Sequence, residues 1–195
     1  MVFGMLNIVL VRPQIPANTG NIGRTCVLTG SRLHLVGPMG FSLDETAVRR
    51  AGLAYWESLD LVVHESWDEF ARSCLPADFA GVHLLTKTGA TTYTQASYAN
   101  GDWLVFGNEG TGLDRELLLA QPGRCERIPM VGDDALANAD SWHRSHRSLH
   151  PEARQDICGN FVDEREGRIT SLNLSNAVAI VTYEALRQIG YPHLV

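Results

Sequence analysis

At 195 residues and 45% hydrophobic side chains, the chain is sized for one domain, 1–195, with a real core. No window reaches the ~18 uninterrupted apolar residues of a membrane span, no basic region precedes the apolar N-terminus, and Cys26, Cys74, Cys125 and Cys158 form no C-x-x-C pair. These exclude a membrane protein, a secreted disulfide scaffold and a standard zinc module, and point to a cytoplasmic protein with reduced thiols. The net charge of −6 argues against nucleic-acid binding through bulk charge. A local arginine patch stays open, because every basic residue except Lys87 is arginine, the side chain suited to forked phosphate contacts.

Leu6–Val11 is a short β-branched run, read as a buried strand. In the following Arg12–Arg24 stretch two prolines, Pro13 and Pro16, rule out helix, and Asn18-Thr19-Gly20-Asn21 supplies turn and cap chemistry for a helix that follows through Cys26 to Gly30. Arg24 projects from its first turns. Further strands are expected at Arg32–Val36, Leu59–Val63, Val82–Leu85 and Asp102–Phe106, with a last edge-like strand at Glu126–Met130 carrying Pro129 near its end. Helices are expected at Leu43–Ala51, with Asp44 as cap and Arg49-Arg50 near its end, at Trp67–Cys74, and after Asp114 through Leu117–Leu119. His83 lies inside an apolar run and reads as a satisfied core histidine. Alternation of strands and helices implies an α/β fold with a mainly parallel sheet and helices on both faces.

Residues 131–170 break the pattern. They hold carboxylates from Asp133 to Glu166, several arginines and no sustained hydrophobic period, which marks a functional excursion or a poorly ordered one. His143, His146, His150 and Cys158 match no standard zinc spacing. After this stretch, Ser171 and Asn173 are N-cap types. Leu174, Ala177, Val178, Val181, Ala185 and Leu186 then recur at helical spacing, and Gly190-Tyr-Pro gives the stop. The small residues Ser175, Ala177 and Ala179 allow close backbone approach. A helix N-terminus can hold a ligand through its unpaired N–H groups, and an ordinary capped core helix has the same sequence.

Gly107-Asn-Glu-Gly-Thr-Gly112 joins a strand to a helix and permits close backbone approach. It is not a Rossmann G-x-G-x-x-G, and no Gly-Lys-Ser/Thr follows as in a P-loop. It carries Glu109, a carboxylate beside that close approach or simply a solvated loop acid.

Asn18-Thr-Gly-Asn-Ile-Gly-Arg24, Phe106-Gly-Asn-Glu-Gly-Thr-Gly-Leu113 and Ser171-Leu-Asn-Leu-Ser-Asn-Ala-Val178 together resemble the three ordered motifs of the SpoU (TrmH-type) branch of SPOUT RNA 2′-O-ribose methyltransferases. Within the branch, Pro16–Arg24, Arg32-Leu-His-Leu with Pro38-Met-Gly-Phe41, Arg49-Arg-Ala-Gly-Leu53, Arg127-Ile-Pro-Met130 and Tyr183–Tyr191 resemble the YibK-like group that acts on the tRNA wobble nucleotide, cytidine or uridine 34. The likeness covers the chain outside 131–170, which then reads as an insertion between the second and third motifs. It implies a C-terminal deep trefoil knot, S-adenosyl-L-methionine as cofactor with S-adenosyl-L-homocysteine as product, no metal, a homodimer, and tRNA as partner, with leucine tRNAs as the expected substrates. Carried over by position, Leu85, Gly107, Ile128 and Ser171 are expected to bind the cofactor, largely through backbone. Asn18, Arg24, Glu109, Asn173 and Ser175 are expected around the transferred methyl and the target ribose, and Tyr183 near the dimer and RNA contact.

Methyl transfer from a sulfonium is an in-line displacement, so positioning alone can supply up to ~7–11 kcal/mol of catalysis. Arg24 is expected to grip phosphate or ribose. A general-base role for it must overcome a pKa above ~12, so base and orienter both stay open. The glycine loop, Asn-Glu-Gly-Thr, is closer to SpoU enzymes of other RNA sites. The alternatives are therefore a 2′-O-methyltransferase for another tRNA or rRNA position, or a non-catalytic RNA-binding relative.

Overall fold

The computed structural model describes residues 6–43, 54–130, 171–192 and 194–195. The expected helix at 43–51, apart from Leu43, and the whole 131–170 segment with His143, His146, His150 and Cys158 lie outside the described residues. The elements are β1 (Asn7–Val11), α1 (Pro16–Thr29), β2 (Arg32–Val36), a 3-10 turn (Ala54–Ser58), β3 (Leu61–His64), α2 (Trp67–Cys74), β4 (Val82–Leu85), β5 (Thr91–Thr92), β6 (Trp103–Phe106), α3 (Arg115–Ala120), a 3-10 turn (Pro122–Arg124), β7 (Cys125–Arg127) and α4 (Leu174–Gln188).

Among the described residues these strands form one sheet in the order β3-β2-β1-β6-β4-β7-β5, and every ladder is parallel. The alternation of side chains along a strand divides the core in two. Ile8, Leu10, Leu33, Leu35, Leu104 and Phe106 face α1 and α4, meeting Ile22, Cys26, Val178, Val181, Ala185 and Leu186. Val9, Val11, Val36, Val82, Leu84 and Val105 face the other way, toward Phe70 of α2 with Leu117 and Leu118 of α3. The sheet is thus covered on both faces, as the near-continuous apolar strands require. Each fully buried Leu, Ile, Val or Phe contributes about 1.5–3 kcal/mol relative to exposure.

Three expectations need correction. The prolines do not delay α1: it begins at Pro16, because a proline at the first helical position gives up an N–H that has no intrahelical partner anyway. Asn18 therefore sits inside the first turn rather than capping it. The third strand is Leu61–His64, not Leu59–Val63; Leu59 packs instead toward Gly23 of α1. β7 is not an edge strand, since it pairs β4 on one side and the two-residue β5 on the other. It ends at Arg127, so Pro129 falls beyond the ladder and costs it no bond. β5 itself hides among Gly, Thr and Ala residues with no apolar period.

Candidate active site

The sheet reverses its direction of growth at β1 and β6. From β1 the chain builds outward through β2 to β3; on the far side of β6 lie β4, β7 and β5. A crevice at the carboxyl ends of strands flanking such a switch is where open α/β sheets bind ligands. Two polar loops leave from those ends here, Arg12–Ile15 after β1 and Gly107–Gly112 after β6, and the start of α4 comes up beside them.

Glu109 ties the loops together. Its Oε2 accepts the Gln14 backbone N–H at 2.9 Å, and its Oε1 accepts the Ile15 backbone N–H at 3.2 Å and Asn18 Nδ2 at 3.0 Å. The Ile15 N–H lies at the start of α1, so the carboxylate satisfies a donor that no helical carbonyl can reach and sits at the positive end of the helix. From Asn18 the chain of bonds continues. Asn173 Nδ2 donates to Asn18 Oδ1 at 2.9 Å, while Asn173 Oδ1 accepts Ser175 Oγ at 2.6 Å and Ser175 N at 2.9 Å. Asn173 is therefore both the N-cap of α4 and the link to α1. One hydrogen-bonded series, Ser175–Asn173–Asn18–Glu109, connects segments that are up to 155 residues apart in sequence.

The glycine loop is held by its own asparagine. Asn108 Oδ1 accepts from Gly110 N at 3.0 Å and Thr111 N at 2.7 Å, and Gly112 closes the turn at φ 72°, a conformation glycine adopts without strain. At Gly107 only hydrogen fits, since a Cβ would stand 2.0 Å from the Gly112 carbonyl carbon. Asp114, the N-cap of α3, makes no cap bond and pairs with Arg12 instead. Arg12 holds a left-handed backbone, φ 53°, at the exit of β1.

These loops enclose a cavity of about 570 Å³. Its walls include Leu85 and Thr86 from the end of β4, Gly107 to Leu113, Glu126, Ile128 and Met130 beyond β7, and Ser171 to Leu174. The four residues expected to bind cofactor, Leu85, Gly107, Ile128 and Ser171, lie on that one wall set, as do Asn18, Glu109 and Asn173. Ser175 reaches the site through Asn173. Arg24 does not line the cavity: it is exposed on α1, with its guanidinium over the ring of Tyr55. The volume falls in the range of small-molecule sites. The lining carries the carboxylates of Glu109 and Glu126, the latter already bonded to His83, and one cation, Lys87. Such a donor set, with Leu85, Leu113 and Ile128 as apolar walls, fits an adenosyl group bearing a positive sulfonium. It suits a polyphosphate poorly.

Sequence reasoning missed Asn108, whose signal is an Asx residue opening a glycine turn, and Glu126, which had none. Glu126 belongs to a buried cluster behind the cavity. His83 Nδ1 meets Glu126 Oε1 at 2.7 Å, His83 Nε2 meets Asp102 Oδ2 at 3.1 Å, and Tyr98 Oη donates to Glu126 Oε2 at 2.9 Å. Burial alone disfavours the imidazolium, but the hydrogen bonds and charges of Asp102 and Glu126 outweigh it and carry the His83 pKa up to about 9. The core histidine is satisfied, and it is charged. Burial, with the charge of Glu126 adding to it, pushes the Tyr98 phenol far up, so it serves as a donor.

On the other side of the sheet, His34, His64 and Cys74 gather metal-type atoms within 4.8 Å of one another. Their geometry is that of a hydrogen-bonded pair. His34 Nδ1 and His64 Nε2 are 3.0 Å apart, with ring centroids at 5.3 Å and planes at 15°, so the rings meet edge to edge with their nitrogens aimed at each other. Burial and the neighbouring His64 lower the His34 pKa to about 4, so His34 stays neutral.

Known proteins match this architecture from end to end. The SpoU rRNA Methylase family profile covers residues 5–139. A tRNA (cytidine(34)-2′-O)-methyltransferase of Escherichia coli (strain K12) is 40% identical over 192 residues, 98% of each chain. One of the same name from Burkholderia cenocepacia (strain HI2424) is 39% identical over 187 residues, 96% of this chain and 97% of that protein. A putative RNA methyltransferase from Bacillus anthracis superposes with a TM-score of 0.73 at 34% identity, covering 97% of both chains. A second solved structure, described as giving structural insights into the 2-OH methylation of C/U34 on tRNA, gives 0.69 at 33% identity, covering 95% of this chain and 97% of that one. With the glycine loop, the cap of α4 and the Asn18 turn meeting at one cavity, the chain belongs to the SpoU rRNA methylase family.

Proposed function

We propose that this protein is an S-adenosyl-L-methionine-dependent methyltransferase that modifies the ribose 2′-hydroxyl of the wobble nucleotide, cytidine or uridine 34, in leucine tRNAs. The observation that carries the reading is the series Ser175–Asn173–Asn18–Glu109, which draws the three motif loops over one cavity of small-molecule size. The relatives named for this reaction span the whole chain at about 40% identity, which supports the same nucleotide.

When bound, the cofactor supplies a methyl group on a sulfonium; the rest is done by side chains and backbone. Leu85, Gly107, Ile128 and Ser171 would hold the cofactor, with Glu109 favouring its charge. Ser175 Oγ spends its proton on Asn173 Oδ1, which leaves its lone pairs free to accept from the ribose 2′-hydroxyl and turn that oxygen toward the methyl; as the O–CH3 bond forms and the S–CH3 bond breaks, the 2′-proton leaves along this hydrogen bond to solvent water. Asn18 and Glu109 fix the acceptor in place, so the orientation is built before substrate arrives. Arg24 contributes from the rim, as a forked donor to the phosphate beside the target ribose. A guanidinium that holds its proton above pH ~12 works as a grip rather than a base.

The same reading includes the deep trefoil knot, a cytoplasmic setting and a homodimer. Exposed Ile180 and Tyr183 on α4 and Leu28 on α1 offer apolar surface for the dimer, and light scattering at twice the 21.4 kDa chain mass tests it. For the reaction, ribose methylation is mapped by mass spectrometry in tRNA from cells lacking this gene. Loss of the methyl at nucleotide 34 of leucine tRNAs, restored by the gene, is expected; an unchanged nucleotide 34 rejects the wobble assignment.

A further inference from the structure

Arg24 is the one site residue that the structure sets apart, and what holds it there is specific. Its guanidinium carbon stands 5.1 Å from the centroid of the Tyr55 ring. Among the described residues no carboxylate pairs with it. The Tyr55 hydroxyl donates to the Gly20 carbonyl at 2.5 Å, one helical turn before Arg24, which ties the ring to the helix that carries the arginine. Behind it, Trp56 and Leu59 lie 3.2 Å from where a Cβ on Gly23 would stand, so Gly23 is what lets the 54–58 turn lie against α1.

An aromatic face and a carboxylate would hold an arginine to different ends. A carboxylate binds the edge of the guanidinium, occupies its N–H fork and cancels its charge. An aromatic ring attracts the guanidinium without cancelling its charge and, apart from the Tyr55 hydroxyl that Arg24 also approaches, leaves its N–H groups available. The geometry points to Tyr55 as a positioning residue that presents the Arg24 fork to an RNA phosphate. This assignment rests on the function proposed above. Tyr55 touches neither cofactor nor ribose; it limits the rotamers of a long side chain that would otherwise be ordered only on binding, at an entropic cost.

The test uses the full-length protein with leucine tRNA. Tyr55→Leu, Tyr55→Phe and Tyr55→Trp are compared for kcat, KM for tRNA and affinity for S-adenosyl-L-methionine. Tyr55→Leu is expected to lower kcat/KM for tRNA roughly threefold to tenfold, the size of an exposed cation–π contact plus lost ordering, with cofactor affinity unchanged. Tyr55→Phe and Tyr55→Trp keep the ring and are expected to recover most of it. A tRNA-affinity cycle with Arg24→Ala then isolates the coupling: Tyr55→Leu should cost nothing further once the guanidinium is gone. The assignment is overturned by wild-type kinetics in Tyr55→Leu, by Phe and Trp variants as impaired as Leu, or by an undiminished loss in the Arg24→Ala background. Failure of the proposed function reads differently, as a wild-type protein that methylates no tRNA, and the affinity cycle reports on Tyr55 even then.

Discussion

Two polar networks cross this sheet, and they are built for opposite purposes. Behind the cavity, His83, Asp102, Glu126 and Tyr98 form a sealed cluster, with His83 charged between two carboxylates and all four residues less than a tenth exposed. At the carboxyl ends of β1 and β6, Ser175, Asn173, Asn18 and Glu109 form a series of amides, a hydroxyl and one carboxylate that opens onto the cavity. Buried ions hold position rigidly, because leaving one unpaired is costly. Amides and a hydroxyl orient a substrate through hydrogen bonds, and the one carboxylate, Glu109, is held by the Gln14 and Ile15 backbone N–H groups. The first network braces β4, β6 and β7 beneath the site; the second is the site's own surface.

The largest effect that separates them is expected at His83. His83→Leu leaves Asp102 and Glu126 buried without their shared partner and should destabilise the fold by about 3–5 kcal/mol, read by urea unfolding, while molecules still folded transfer methyl at the wild-type rate. The pH dependence gives the sign. The folded pKa of about 9 lies above the ordinary 6.5, so the contribution of His83 is complete below pH 6.5 and is lost as pH rises to about 9. The His83→Leu variant should lack that alkaline decline. If its activity per folded molecule falls instead, the division between brace and site fails.

Next comes Gly107→Ala, whose methyl would collide with the Gly112 backbone. Calorimetry should show affinity for S-adenosyl-L-methionine lowered by at least about 100-fold, equivalent to about 2.7 kcal/mol, with less loss of stability than at His83. Glu109→Gln follows. Two backbone N–H groups and the Asn18 amide now share one carbonyl oxygen, an unmade bond worth about 1–3 kcal/mol. That corresponds to a roughly tenfold to 100-fold lower kcat, measured at saturating tRNA and cofactor. The smallest effect is Asp60→Asn, which breaks an exposed pair with Arg32, the two side chains being 54% and 40% accessible. Such pairs are worth about 0–1 kcal/mol, and neither stability nor turnover should move appreciably.

The contrast also explains what could be read from the residues. The runs of β1, β2, β4 and β6 and the cap of α4 are local: Leu-Val runs and Asn173 carry their own signal, and these appear within a residue of where expected, whereas β3 starts two residues later. The start of α1 was misread because Pro16 breaks a helix interior yet suits its first position. The partners of Glu109 are backbone N–H groups some 95 residues away, which no side-chain pattern announces. His83 was legible as a satisfied core histidine, but Asp102 and Glu126 come to it from other strands, so its charge was not. Arg24 is among the residues expected at the site, yet it lies outside the cavity lining. Its position over the Tyr55 ring depends on how the 54–58 turn packs on α1, and sequence spacing carries no trace of that.

The central claim is that the Ser175–Asn173–Asn18–Glu109 surface directs a methyl group to the 2′-oxygen of nucleotide 34. The most direct measurement is transfer from labelled S-adenosyl-L-methionine to two leucine tRNAs that differ only at that ribose, one with its 2′-hydroxyl and one 2′-deoxy. Incorporation into the first and none into the second is the predicted result; equal incorporation into both would contradict it.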